Sequence, residues 1–239
     1  MNDRELRERM RTALQGVPQK EEDVDPEVLR RIVTRIESSL QPVGALPAPA
    51  RTVAGLVIAV AGAATLGAGI LGMHGIQVMS TRSAATICTS LLVLLYIAAI
   101  NNVQLGIPGG RRWTTAPKVL IAAILATIGL FAACFNDYSV DDFVSQGVRC
   151  LTAGVFQAVP VALLVWFLLR RHFAVDTKAA IIARATLAGL GGLTMLELHC
   201  ARLQVPHLTV WHTAVLPVCV LLGIVVFSSA AMLRVRSRS

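Results

Sequence analysis

The chain has 239 residues, of which 55% are apolar and only 15% are charged. A soluble domain usually carries about 25% charged residues, so this balance favours a membrane protein. The formal net charge of +8 resembles that of a nucleic-acid-binding protein. The surplus positive charge lies in short clusters beside apolar stretches, however, and such clusters typically set the orientation of a membrane protein. We therefore expect no direct contact with nucleic acid.

The N-terminal fifty residues precede any long apolar run and carry mixed charge, which excludes a secretory signal peptide. Their apolar residues recur at spacings of three and four, which predicts two amphipathic helices. The first ends near Gly16 and Pro18, and the second begins at Asp25 and Pro26 and is broken by the segment 42–49. Two short stripes bury little surface against each other, so this segment is either loosely folded or requires a partner. The simplest such partner has a groove that accepts a helix.

Six later stretches are long and apolar enough to cross about 30 Å of hydrocarbon as helices. Their apolar character is continuous and does not alternate, so barrel strands are excluded. The predicted fold class is all-α: a six-helix transmembrane bundle with a short N-terminal segment of two amphipathic helices. The predicted spans are approximately 52–73, 83–105, 118–136, 149–169, 179–199 and 210–232.

The distribution of positive charge predicts the orientation, because short loops rich in Lys and Arg stay in the cytoplasm. With the N-terminus inside, the inner connections and tail carry Arg111, Arg112, Lys118, Arg170, Arg171, Lys178, Arg234, Arg236 and Arg238. The outer connections carry Arg82, Arg149 and Arg202. We therefore expect both termini in the cytoplasm, with residues 1–50 as a cytoplasmic segment, 51–233 as the six-span domain and 234–239 as a cytoplasmic tail.

Potential ligand side chains are concentrated at the predicted outer face. Imidazole, thiolate and carboxylate groups bind zinc or copper, and exposed thiols can also pair or react. Interfacial packing explains the same residue types, so the sequence leaves metal binding open and predicts no cofactor. For Cys150 and Cys200, a functional pair and simple apolar packing are equally expected, because spans four and five end on the same side of the membrane and can approach each other. The outer-face set comprises His74, His199, His207, His212, Glu197, Cys134, Cys150 and Cys200.

Glycines recur along the first and fifth spans, where small residues favour close packing of transmembrane helices. We therefore expect close helix contacts at these glycines, which are Gly55, Gly62, Gly67, Gly69, Gly72, Gly189, Gly191 and Gly192.

Three stretches resemble one bacterial family of six-span membrane anti-sigma factors, typified by the negative regulator of sigma F (NrsF). The first is the junction from Leu40-Gln41-Pro42-Val43 to Leu46-Pro47, directly before the first span. The second is Arg149-Cys150 opening span four, with Pro160 inside it and Arg170-Arg171 closing it. The third is the glycine-rich span five ending in Leu198-His199-Cys200, followed by His207 and Val210-Trp211-His212.

The resemblance implies that the N-terminal segment holds an extracytoplasmic-function (ECF) sigma factor at the bacterial inner membrane. It also implies that the membrane domain receives a stress signal and then releases that factor. The residues expected to contact the sigma factor are Leu6, Met10, Leu14, Leu29, Ile32, Val33 and Ile36. The residues expected to take part in signal sensing are Cys150, Cys200, His199, His207 and His212.

Two other functions stay open from the sequence. A small permease or channel requires polar groups along a path at the membrane midplane, and such groups are sparse here. A membrane redox or metal-binding protein would use the histidines and cysteines of the outer face. No phosphate loop, catalytic triad order or pair of intramembrane carboxylates indicates an enzyme.

Overall fold

The computed structural model describes residues 26–39, 48–106, 115–170 and 177–236. Within these ranges every regular element is helical, which confirms the predicted all-α class. In chain order the helices are α1 (Pro26–Ser39), α2 (Pro49–Leu71), α3 (His74–Val78), α4 (Thr81–Leu105), α5 (Ala116–Cys134), α6 (Phe143–Leu169), α7 (Thr177–His199), α8 (Val205–His207) and α9 (Thr213–Arg236), with a π-helical turn at Leu208–His212 between the last two.

Helix α1 belongs to a unit separate from the unit of residues 46–239. Glu27 in its first turn accepts hydrogen bonds from Arg30 and Arg31. Ile32 and Val33 are nearly half exposed on its surface. The side chains of Leu29 and Ile36 and the whole of Leu6, Met10 and Leu14 lie outside the described residues.

Six helices within the described ranges are long and apolar enough to span a membrane, as the sequence predicted. Their outward surfaces carry large apolar side chains such as Ile58, Ile70 and Phe156, each more than 70% exposed. Water-soluble proteins rarely expose apolar surface on this scale, whereas lipid solvates it at no cost. The chain is therefore a multi-pass membrane protein.

Helix α7 is the central helix of the bundle. Two thirds of the residues in its most apolar stretch are buried inside the protein, whereas in the other five spans this share is 22–33%. It packs against α2, α4, α5, α6 and α9, and Leu187, Leu190 and Leu193 are fully buried along it. Helix α7 is therefore surrounded by other helices along most of its length.

Two spans begin five or six residues earlier than the hydropathy pattern predicted. Helix α6 starts at Phe143, six residues before the predicted start at 149, and its first turns include polar residues that a hydropathy window excludes. Contacts hold these turns, because the Phe143 and Trp211 rings lie 5.6 Å apart and Gly147 lies directly against the Trp211 indole. The last span starts at Val205 and not at 210.

The predicted glycine packing is confirmed in α7 but not throughout α2. A side-chain carbon added at Gly189, Gly191 or Gly192 would meet neighbouring helices, whereas Gly55, Gly62 and Gly69 face open space. The α2 glycines that do make contacts are Gly67, beside the Gln157 amide, and Gly72, which ends the helix with a positive φ of 98°.

Candidate functional site

The connections 72–80, 135–142 and 200–204 meet at one end of the bundle, which we call the cluster end. The Val205 backbone N–H donates to the Asp137 carbonyl oxygen at 2.7 Å, and Gln204 Nε2 donates to Ser139 Oγ at 2.7 Å. Two hydrogen bonds from Ser139 lower the pKa of the Asp137 carboxyl, which keeps this residue negatively charged. The connections thus bring the ends of α5, α6, α7 and α8 together.

Cys150 and Cys200 are in contact at the cluster end. Cys150 lies in the second turn of α6 and Cys200 directly follows α7, and their Sγ atoms are 3.7 Å apart. Both are free thiols. The pKa of the Cys200 thiol is raised. The main cause is its hydrogen bond with the Cys150 thiol, and burial is the second cause.

His207 and His212 extend the pair into a cluster of four. His207 Nε2 lies 3.8 Å from Cys200 Sγ, and the two imidazole rings are 5.2 Å apart. One potential ligand atom from each of the four residues lies within 4.8 Å of all the others. The structure thus brings together four of the five residues that the sequence placed in signal sensing; we call Cys150, Cys200, His207 and His212 the Cys-His cluster.

The π-helical turn at Leu208–His212 explains why two histidines five residues apart share one side of the chain. An α-helix turns 100° per residue, which would place them about 140° apart. The wider π-turn, with its i to i+5 hydrogen bonds, brings residues five apart close to one face. Sequence reasoning missed this turn, and the only local signal for an irregularity is Pro206.

Glu197 supports the cluster from α7. Its Oε1 accepts a hydrogen bond from His212 Nδ1 at 2.5 Å, and both side chains are almost completely buried. This contact fixes the tautomer that leaves His212 Nε2 available. Among the described residues, His212 Nε2, His207 Nδ1 and Glu197 Oε2 are buried and have no hydrogen-bond partner. The sequence placed Glu197 at the outer face but did not predict its pairing with His212.

His199 lies apart from the Cys-His cluster. Its Nδ1 donates to the Gly72 carbonyl oxygen at 2.8 Å, and its ring lies 6.1 Å from that of His74. The positive φ of Gly72 turns this carbonyl at the end of α2, and a side chain there would overlap His74. His199 therefore connects α7 to the end of α2.

The fold and the cluster define a multi-pass helical membrane protein with a buried set of thiols and imidazoles at one end of its bundle. The chain matches the family described as negative regulator of sigma F (NrsF) over residues 37–233. Because this match covers most of the chain, the protein belongs to the NrsF family of negative regulators of a sigma factor. No curated protein and no solved structure matches the chain significantly.

Proposed function

We propose that this protein is an anti-sigma factor that holds an ECF sigma factor at the bacterial inner membrane and releases it in response to a stress signal. The observation that carries the proposal is the family match over residues 37–233, which includes all six spans. A negative regulator built on six spans can act on a soluble sigma factor by keeping it at the membrane, away from RNA polymerase.

The proposed sigma-binding element is the N-terminal segment, including α1. This helix has an apolar stripe whose side chains are about half exposed, at 44% for Val28, 49% for Ile32 and 46% for Val33. Arginines flank the stripe at positions 30, 31 and 35, so a partner groove needs apolar pockets with acidic residues at the rim. The remaining proposed contacts at residues 6, 10, 14, 29 and 36 follow from the sequence pattern.

The proposed orientation places both termini in the cytoplasm and the Cys-His cluster at the outer face. The positive charges of the inner connections support it. Signal sensing is assigned to Cys150, Cys200, His207 and His212, and His199 contributes by connecting α7 to α2.

A permease is less well supported. The middle of α7, where a midplane path would run, is packed with leucines that are fully buried. Among the described residues, the buried acidic and imidazole groups lie at the cluster end, far from the midplane.

The test is co-purification of a sigma factor with the detergent-solubilised protein. The full chain is compared with a chain lacking residues 1–45, with the double variant Ile32→Asp/Val33→Asp, and with Thr34→Asp on the opposite face of α1. We expect the full chain and Thr34→Asp to retain a sigma factor and the other two to lose it. Retention after removal of residues 1–45 would contradict the proposal.

A further inference from the structure

We propose that the cluster end binds one transition-metal cation that prefers thiolate and imidazole ligands, Zn²⁺ or Cu⁺, through four side chains: Cys150, Cys200, His207 and His212. Two thiolates and two imidazoles are a common ligand set for tetrahedral Zn²⁺, and Cu⁺ shares the preference for soft thiolates.

The distances within the cluster are close to those of a tetrahedral site. Zn–S bonds of about 2.3 Å and Zn–N bonds of about 2.0 Å at tetrahedral angles separate two sulfurs by about 3.8 Å and a sulfur from a nitrogen by about 3.5 Å. The Cys150 and Cys200 Sγ atoms are 3.7 Å apart, and Cys200 Sγ is 3.8 Å from His207 Nε2. The widest separation among the four ligand atoms is 4.8 Å, so a contraction of about 1 Å completes the site.

His212 is held as a metal-bound histidine usually is. Such a histidine commonly donates its second ring N–H to a carboxylate, which orients the ring and strengthens the ligand. His212 Nδ1 makes this contact with Glu197, while His212 Nε2 is buried and has no hydrogen-bond partner. A buried polar atom left unpaired destabilises the protein, and a bound cation would remove that cost.

Charge also favours a cation here. A Zn²⁺ ion with two thiolates and two neutral imidazoles has no net charge, which suits a site at the membrane boundary. Each thiol loses its proton when the cation binds, and the protons pass to solvent.

Occupancy of the site would move helices relative to one another, an inference that rests on the proposed function. The four ligands come from α6, from the residue after α7, from α8 and from the π-helical turn that precedes α9. Contracting the site draws these elements together, and α7 also packs against α2, which follows the N-terminal segment. If the contracted bundle binds the sigma factor less tightly, the cation is the signal.

The first experiment titrates the reduced, purified full chain with Zn²⁺ and, separately, with Cu⁺ buffered by a competing chelator. We expect one ion per chain, and a Co²⁺ probe should show thiolate charge-transfer absorption and the visible bands of a tetrahedral ion. Cys150→Ser, Cys200→Ser and His212→Gln should each weaken binding by more than about 100-fold, and Glu197→Gln by about 10–100-fold.

Cys134→Ser and His74→Gln are matched controls, because both residues lie at the cluster end outside the four ligands. They should bind the ion as the unchanged chain does. A reduced chain that binds neither cation, or equal binding by Cys200→Ser and the unchanged chain, would overturn the site. Elution volume in detergent shows whether each variant is folded, and Cys150→Ser and His212→Gln provide independent evidence if one fails.

The regulatory step is tested by titrating the chain with its sigma factor bound. If occupancy releases the sigma factor, the complex must bind the cation more weakly than the free chain, by the factor by which the cation weakens sigma binding. Equal affinities would overturn the regulatory step but not the metal site. A failed metal titration with normal co-purification would overturn the site and leave the anti-sigma function standing.

Discussion

Gly154 in α6 and Gly192 in α7 lie directly against each other. A side-chain carbon added at Gly192 would overlap the Gly154 carbonyl oxygen. Gly154 is one turn from Cys150, and Gly192 is about two turns from Cys200. The close approach of the two backbones therefore positions the two thiols.

We predict that Gly192→Leu lowers the melting temperature of the detergent-solubilised protein and separates the thiols. Overpacking a tight contact costs about 1–3 kcal/mol, because α6 must move away from α7. Thermal stability can be followed by size-exclusion after heating, and thiol proximity by the yield of a short bifunctional maleimide crosslink. Gly62→Leu is the control, since Gly62 faces open space. Equal melting temperatures for the two variants would contradict the prediction.

Serine in place of either Cys150 or Cys200 should abolish release of the sigma factor and leave repression intact. Serine is close to cysteine in size, so the bundle and the N-terminal segment should be unaffected, while the thiol chemistry is removed. A reporter under a sigma-dependent promoter measures both states, before and after stress. Cys134→Ser, at the same end of the bundle, should respond normally. Full induction in the Cys150→Ser/Cys200→Ser double variant would exclude a sensing function for the pair.

The buried contact between Glu197 and His212 should stabilise the protein, and the loss of stability should depend on which residue replaces Glu197. Glu197→Ala leaves His212 Nδ1 without an acceptor, at a cost of about 1–3 kcal/mol, whereas Glu197→Gln keeps a weaker, neutral hydrogen bond. The melting temperature should therefore fall most in the alanine variant and less in the glutamine variant. Glu27→Ala in exposed α1 should leave it unchanged. The contact is not stabilising if alanine and glutamine behave alike.

The orientation can be measured by labelling single cysteines in a cysteine-free background with a membrane-impermeant maleimide. Tyr138→Cys lies in the connection between α5 and α6, and Thr115→Cys lies at the opposite end of the bundle, and both positions are exposed. Spheroplasts should label the first variant, and the second should react only after lysis. The reverse pattern would place the cluster in the cytoplasm.

The six spans could be predicted because apolar stretches of about twenty residues have few alternatives to a membrane helix. The start of α6 could not be predicted, because its first turns contain the polar residues Gln146 and Arg149. These turns are stabilised by contact with Trp211 and not by apolar side chains of their own. The resemblance and the shared end of the spans pointed to Cys150 and Cys200, and the structure brings them into contact. His207 and His212 were expected at the outer face and in signal sensing, but their contact with the cysteine pair was not predicted, because the π-turn that unites them has no hydropathy signature.

The central position of α7 has a consequence for how the chain enters the membrane. Because most of its surface faces other helices, it can contain polar and small residues, including Arg184, Glu197 and three glycines, which make it the least apolar of the six spans. A segment of this kind partitions weakly into lipid when alone, so its insertion should depend on the four earlier spans already being there to receive it. Assembly of the Cys-His cluster would then be among the last events of biogenesis.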